Sequence, residues 1–587
     1  MLRPPGAAGK PGGLLGSDRV RFGLLLPLLT AALGCGDGRP PAAAVLITLD
    51  TTRADVLSCY GGPPGLTPAL DALAAEGVRF TRARTVAPMT LPAHASMLTG
   101  LYPPRHTVRD NGHRALPAAA RTLAEQARAA GLQTAAFVSA SVLHSSFGLA
   151  QGFDSYSAPA ETAAARTTQY RSRRAAEVVA DAIAWLHRRD RSRGFLLWVH
   201  LWDPHAPYDP PPGFRRDNPY HGEVAAADHA AGELLAALRA DPAWPAITVL
   251  AVADHGEAFG EHGEWTHGPF AWESTARVPL ILRSPGLAPG TCERTVSVAD
   301  VAPTLAEALG LPPLPDVDGR SLLNPQGLEP RGVWLESLEG WSVYGWAPLW
   351  GWVTDEAKLL DGGRPRLFDP VADPAEERDL AGERPELVAE LRRALLTTAA
   401  RPPLPPDPPG AGGPDEALLA AVAELGYAAL AEDEETAAPP RPLAPTDRPD
   451  PLEPERAEEL RLVNRGGNLA AAGRHAEAEA LFARVVAANP ENLWAQEMLG
   501  SLRLILGRPE EALPPLLRVA RAGRGTATTF GNLAGCYRAL GRDDRALPWL
   551  ERAYARNPEH QGVRRHLIEV LENLGRKEEA DRIRARD

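Results

Sequence analysis

The chain has 587 residues, of which 44% are hydrophobic and 23% charged. That balance describes a globular protein, and the length exceeds one ordinary domain. A formal net charge of -12 excludes a nucleic-acid scaffold, whose footprint is basic. The four cysteines, Cys35, Cys59, Cys292 and Cys536, lie far apart with no Cys-x-x-Cys, which excludes a disulfide framework and a cysteine zinc site.

The first element is a leader over residues 1–35. Arg19 and Arg21 precede an apolar run from Phe22 to Leu33, with small residues before Cys35. Basic, apolar and small segments in that order describe a signal peptide. The run is shorter than the roughly 20 residues of a spanning helix. Ala32-Leu33-Gly34-Cys35 resembles a bacterial lipobox, with Ala where Leu is favoured. It predicts an exported lipoprotein, held through lipidated Cys35 at the periplasmic or extracellular face of the cell envelope. Cleavage without lipid is the alternative.

Three buried-strand runs follow, each ending in polar residues. Ala44-Val45-Leu46-Ile47-Thr48-Leu49 leads into Asp50 and Arg53. Phe195-Leu196-Leu197-Trp198-Val199 leads into His200, Asp203 and His205. Ile247-Thr248-Val249-Leu250-Ala251-Val252-Ala253 leads into Asp254-His255-Gly256-Glu257, with His262 and His267 in the same loop. Open α/β sheets bind ligands at strand carboxyl ends, and carboxylate with neutral imidazole suits zinc, manganese and related ions. Between the first two runs lies Met89-Thr90-Leu91-Pro92-Ala93-His94. Pro92 suits a helix's first turn, which puts Thr90 just before the helix N-terminus, where backbone N–H groups attract anions. Thr90 as a plain N-cap is the bland alternative.

The end of the chain changes character. Residues 401–413 are too rich in proline to fold, Asp415–Gly426 reads as one short helix, and 431–452 return to acid and proline. Gly-Arg then recurs at 473, 507, 541 and 575, every 34 residues, with Ala478, Ala512, Ala546 and Ala580 each five residues after the Gly. This is the tetratricopeptide period, read as three full repeats and a clipped fourth over about 456–587. Such arrays bind peptides or partner proteins in a concave groove; a mere spacing module is the alternative. Because 401–452 cannot bury a core, the array is expected to be an independent unit on a tether, dispensable for turnover of a small substrate.

The strand exits, the Thr90–His94 stretch, Val108-Arg109-Asp110-Asn111-Gly112, Tyr220-His221-Gly222-Glu223-Val224, Arg277-Val278-Pro279-Leu280-Ile281 and the closing Leu367-Phe368-Asp369-Pro370…Asp373-Pro374-Ala375-Glu376 together resemble the alkaline phosphatase/sulfatase superfamily over roughly 43–385. The resemblance implies an α/β sandwich of about ten strands with a large, mostly parallel central sheet, followed here by an all-α C-terminal solenoid. The division is then 1–35 leader, 43–385 catalytic domain, 386–455 helix and Pro-rich linker, and 456–587 repeats.

The resemblance also implies roles. Asp50, Asp254 and His255 correspond to metal ligands, Thr90 to the nucleophile, and Asn111 to an amide touching the substrate's non-bridging oxygens. Sulfatases carry Cys or Ser in a Cys/Ser-x-Pro-x-Arg motif and oxidise it to formylglycine. Thr90 cannot give that aldehyde, because its β-carbon bears a methyl group, and His94 replaces the motif's Arg. A Thr nucleophile looks instead like phosphodiesterases, some phosphatases, and phosphoethanolamine and lipoteichoic-acid transferases. The expected activity is metal-dependent hydrolysis or transfer at phosphoesters, lipid- or glycan-linked ones included, with one or two zinc ions; manganese or calcium are alternatives. His205 and His267 are candidates for a second ion or for the phosphate oxygens, Asp203 a weaker one, and His200 an open one. Arg53 either pairs with non-bridging oxygens or ties down its loop. His262 and His106 read as loop residues. Two other readings remain: a true sulfuric ester hydrolase, and a catalytically silent relative whose repeats are the working part.

Overall fold

The computed structural model describes residues 42–585 apart from 113, 160–171, 409–413, 415–417, 419–439, 557 and 559. The leader with Cys35, and most of the 415–426 stretch read as a helix, lie outside the described residues. No helix among the described residues is long and apolar enough to cross a membrane.

Eight strands form the central sheet: β1 (Ala43–Leu49), β2 (Val78–Arg84), β3 (Gln133–Phe137), β4 (Ser155–Ser157), β5 (Phe195–Leu201), β6 (Ile247–Ala253), β7 (Arg277–Arg283) and β8 (Gly290–Ser297). Their order is β4-β3-β5-β1-β6-β7-β2-β8. All neighbours pair parallel except β7, which runs antiparallel to both β6 and β2. The sheet is thus mostly parallel, with eight strands among the described residues where about ten were expected. Every residue of β1, β5 and β6 is buried. Strands covered on both faces read as unbroken apolar runs, which is why these three were visible in the sequence.

A second sheet is antiparallel, in the order β12-β11-β10-β9, built from β9 (Val333–Ser337), β10 (Leu349–Val353), β11 (Lys358–Asp361) and β12 (Pro365–Phe368). Helix Pro385–Ala399 follows it.

Eight helices from Pro454 to Arg584 make four consecutive antiparallel pairs. The 34-residue period is structural. Gly473, Gly507, Gly541 and Gly575 sit at the turn inside each pair with φ between 69° and 76°, a left-handed conformation that glycine adopts without a Cβ clash. Ala478, Ala512, Ala546 and Ala580 are all fully buried where the paired helices close on each other.

The array is not a tethered unit. Its first two pairs share a core with the second sheet: Phe270, Trp272, Trp346 and Phe368 pack in one cluster with Leu460, Val463, Phe482 and Leu499. Buried Glu459 organises the seam. One of its oxygens accepts from Trp346 Nε1 at 3.2 Å and the other from Asn489 and Asn492 at 2.6 and 2.8 Å. Asn489 also donates to the Tyr344 carbonyl at 2.8 Å. Arg366 of β12 pairs with Asp450 and Glu453 at 3.0 and 3.1 Å. At Gly263 (φ +80°) an added Cβ would stand 2.7 Å from that of Ala457, so the first array helix lies directly on the Asp254–Gly268 loop. The proline-rich segment just before the array is docked on the domain that carries the two sheets, as in the Ala347 N–H to Pro449 carbonyl bond of 2.8 Å.

Truncation before Pro454 should therefore strip cover from Trp346 and Phe270. The shortened chain should bind a hydrophobic dye and melt earlier than the full chain. In the full chain Leu460→Ala, at a fully buried position, should cost about 2–5 kcal/mol in denaturant unfolding of the catalytic domain. An unchanged transition would leave the array as a passenger.

Candidate active site

Strand register builds the site. Leu49 of β1 pairs with Ala253 of β6, so Asp50 and Asp254 leave the sheet side by side. Asp254 is already half satisfied: Oδ1 accepts from the Thr51 and His255 N–H groups at 3.2 and 2.7 Å. Asp254 Oδ2 and both Asp50 oxygens are buried without a hydrogen-bond partner. Burial pushes both carboxyls well above the usual range, and the Asp50 charge adds to the push on Asp254. Thr51, with φ 43°, sits in the left-handed region that non-glycine residues seldom adopt. Its strain lets its N–H turn onto Asp254, and Tyr220 holds its carbonyl at 2.7 Å.

His255 is oriented for metal binding. Its Nδ1 donates to the Gly256 carbonyl at 3.0 Å, so the lone pair is on Nε2. That nitrogen lies 3.6 Å from Asp254 Oδ2 and 3.4 Å from Thr90 Oγ1. Burial keeps the ring well below its ordinary pKa, hence neutral. Asp50, Asp254 and His255 converge within 4.8 Å, a donor set of hard oxygens and one imidazole that fits a divalent ion.

Thr90 opens its helix, Thr90–Thr99, rather than preceding it; Met89 is the cap residue and no side chain caps the end. Thr90 Oγ1 thus turns to His255, which removes the N-cap reading. Asn111 Oδ1 accepts from the Leu91 N–H at 2.8 Å and fixes that helix end, while its buried Nδ2 has no protein partner.

The remaining candidates divide. His267 donates from Nδ1 to Glu257 Oε1 at 3.0 Å. Burial alone would depress it, but the Glu257 charge and hydrogen bond outweigh that and raise its pKa to about 9. Its ring lies 4.3 Å from His255 and 5.2 Å from His205. His205 stacks on Trp202 at 3.7 Å and hydrogen-bonds the Ala206 carbonyl at 2.6 Å. Neither His205 nor His267 belongs to a three-ligand cluster among the described residues. They keep 8% and 6% exposure beside a fully buried Asp50, Thr90, Asp254 and His255. The Glu257 pairing favours the cationic form of His267, which does not suit a metal ligand.

Two candidates are corrected. Asp203 Oδ2 accepts from the Ala175 N–H at 2.5 Å and faces Arg174, so it anchors the start of helix Ala175–Arg188 instead of joining the site. Arg53 is held by both Asp55 oxygens, by Glu261 at 2.6 Å and by the Glu257 carbonyl at 3.0 Å, so it ties down the Glu257–Glu261 loop and has no fork left for substrate. His262 stacks on Trp272 and bonds the Ala375 carbonyl, while His106, expected in a loop, ends the short helix Pro103–His106 and bonds Ser96.

His94 was missed. A second cluster joins His94, His200 and Asp254. His94 lies four residues after Thr90, the spacing that shares a helix face, and its Nδ1 donates to the Thr90 carbonyl at 2.8 Å. The signal was present, but His94 was read only as a lost arginine. From the array, Arg524 feels the charge of Asp110, next to Asn111.

Residues 43–311 match the family model described as Sulfatase. This part of the chain is similar to the sulfatase family. The uncharacterized sulfatase YidJ of Escherichia coli (strain K12) is 25% identical over 416 residues, 57% of this chain and 82% of that protein. The arylsulfatase of Clostridium perfringens (strain 13 / Type A) is 24% identical over 451 residues, 60% of this chain and 93% of that protein. Among solved structures, the phosphonate monoester hydrolase of Agrobacterium radiobacter is similar with a TM-score of 0.51 at 23% identity, covering 62% of this chain and 96% of that one; this likeness speaks to the fold.

Metal content separates the two aspartates. Asp254→Ala should lose the divalent ion by elemental analysis of the purified protein. Asp203→Asn should keep it and lose about 1 kcal/mol of stability in denaturant unfolding.

Proposed function

We propose that the sulfatase-family domain acts on phosphoesters, by hydrolysis or transfer, with Thr90 as nucleophile and a divalent metal, zinc in the first instance, held by Asp50, Asp254, His255 and Thr90. The observation that carries this reading is Thr90 itself: a threonine hydroxyl 3.4 Å from a neutral His255 nitrogen, beside Asp50 and Asp254, of whose oxygens both of the first and Oδ2 of the second are without hydrogen-bond partners.

Asp50, Asp254, His255 and Thr90 would hold the ion, which would supply a lower pKa for the Thr90 hydroxyl and a counter-charge for the ester. Thr90 Oγ attacks phosphorus in line, the P–O bond to the leaving alcohol breaks, and a phospho-threonine forms. His267, protonated against Glu257, donates to the phosphoryl oxygens, and Asn111 Nδ2 donates to another. Water, or an acceptor hydroxyl, then attacks phosphorus and returns Thr90. The names of the similar proteins favour a second reading, cleavage of sulfuric esters, but Thr90 has no route to the formylglycine on which that chemistry rests in sulfatases.

We read the helical array as tetratricopeptide repeats that bind a protein or peptide partner. The reading is supported by the 34-residue period, the left-handed glycines and the buried alanines. The lipobox supports export and anchoring through Cys35 at the cell envelope, with a lipid- or glycan-linked phosphoester as the natural substrate.

Thr90→Ala should abolish turnover of an aryl phosphate, by at least a thousandfold, and leave metal content within twofold of the parent. Rapid-quench mass spectrometry should find phosphate on the peptide containing Thr90. An aryl sulfate turned over far faster than aryl phosphate mono- and diesters would replace the substrate class with sulfuric esters.

A further inference from the structure

We infer that His200 is a positioning residue that holds Asp50 in its metal-binding orientation, and is not itself a ligand. This rests on the metal reading of the Asp50, Asp254 and His255 set. His200 stands in β5, one residue short of the strand's end and opposite Thr48 of β1, so its ring lies under the Asp50 carboxylate. It is fully buried. Its tautomer follows from its neighbours. The Ser139 N–H points at Nδ1 at 3.4 Å, so Nδ1 presents its lone pair and the proton resides on Nε2. Ser139 Oγ donates to the His200 carbonyl at 2.5 Å and pins the backbone in this register.

Nε2–H has no other partner, and its nearest acceptor is Asp50 Oδ2 at 3.3 Å. The approach is close but not yet aligned as a full hydrogen bond. Both Asp50 oxygens are otherwise unpartnered, so one can turn to the ion while the other takes the His200 proton. Ligating carboxylates are usually held by such an outer partner, whose loss typically costs 10–100-fold in metal affinity. The nearby His94 differs. Its proton is on Nδ1, bound to the Thr90 carbonyl, so the His94–His200–Asp254 cluster contains one imidazole with a free lone pair and one without. Two imidazole ligands would require the Ser139 N–H to give up His200.

The test is cobalt(II) titration of the stripped full-length protein, with affinity and stoichiometry read from the visible absorption bands and elemental analysis. The parent should bind one ion per chain. His200→Leu should still bind one ion, 10–100-fold more weakly. His200→Gln, whose amide N–H reaches the same place, should recover most of that loss. If His200→Leu does not fold by circular dichroism, His200→Asn takes its place, because its shorter amide stops short of Asp50. Affinity in His200→Leu within twofold of the parent would overturn the inference. So would two ions in the parent and one in the variant, which would make His200 a ligand. A parent that binds no ion would overturn the metal reading itself.

Discussion

Two carboxylates buried side by side with no protein cation between them are the constraint on which this molecule is arranged. Charge in a dry interior is costly unless paired or bound to metal. The register of β1 against β6 nevertheless sets Asp50 and Asp254 together at fully buried positions. Around them the chain spends its conformational freedom. Thr51 takes a left-handed turn, Tyr220 clamps that turn, and the Thr90 helix starts so that a hydroxyl rather than a cap faces inward. Even the lone arginine at the site is withheld: Arg53 is consumed by Asp55 and Glu261. The geometry has room for the cation proposed above, and His267 is paired with Glu257 at the more exposed side.

What the sequence makes legible follows from how local each signal is. The three central strands are legible because both faces are covered and the apolar runs are unbroken. Asp50, Thr90, Asp254 and His255 follow from strand ends and from one helix start, features fixed within a few residues. Asp203 misleads because its partner is distant in sequence, Ala175 lying 28 residues before it, whereas Arg53 ties down its loop through Asp55, two residues on, and through Glu261, 208 residues away. His94 is overlooked for the opposite reason. Its partner is only four residues away, but the comparison with a sulfatase motif fixes attention on the charge that is absent there.

The array shows a different limit. Its period, glycines and alanines are written in the sequence, since each repeat closes mainly on its neighbours. Its docking is not. Trp346 and Glu459 are 113 residues apart, joined across a stretch whose composition says only that it cannot fold alone. A linker poor in core residues can still be laid along a surface when both of its ends are fixed. The same docking sets Ala457 against Gly263 and brings Arg524 within electrostatic reach of Asp110.

The seam also imposes an order on biosynthesis. The second sheet is complete at Phe368, but the helices that cover it run from Pro454 to Ala488. At roughly 5–20 residues per second, the ribosome needs on the order of ten seconds to make the intervening chain. During that time Phe270, Trp272, Trp346 and Phe368 lack the cover that Leu460, Val463 and Phe482 of the array give them. A nascent catalytic domain is therefore sticky at one defined place until its own C-terminus arrives, and that face is where a holding chaperone would have to sit.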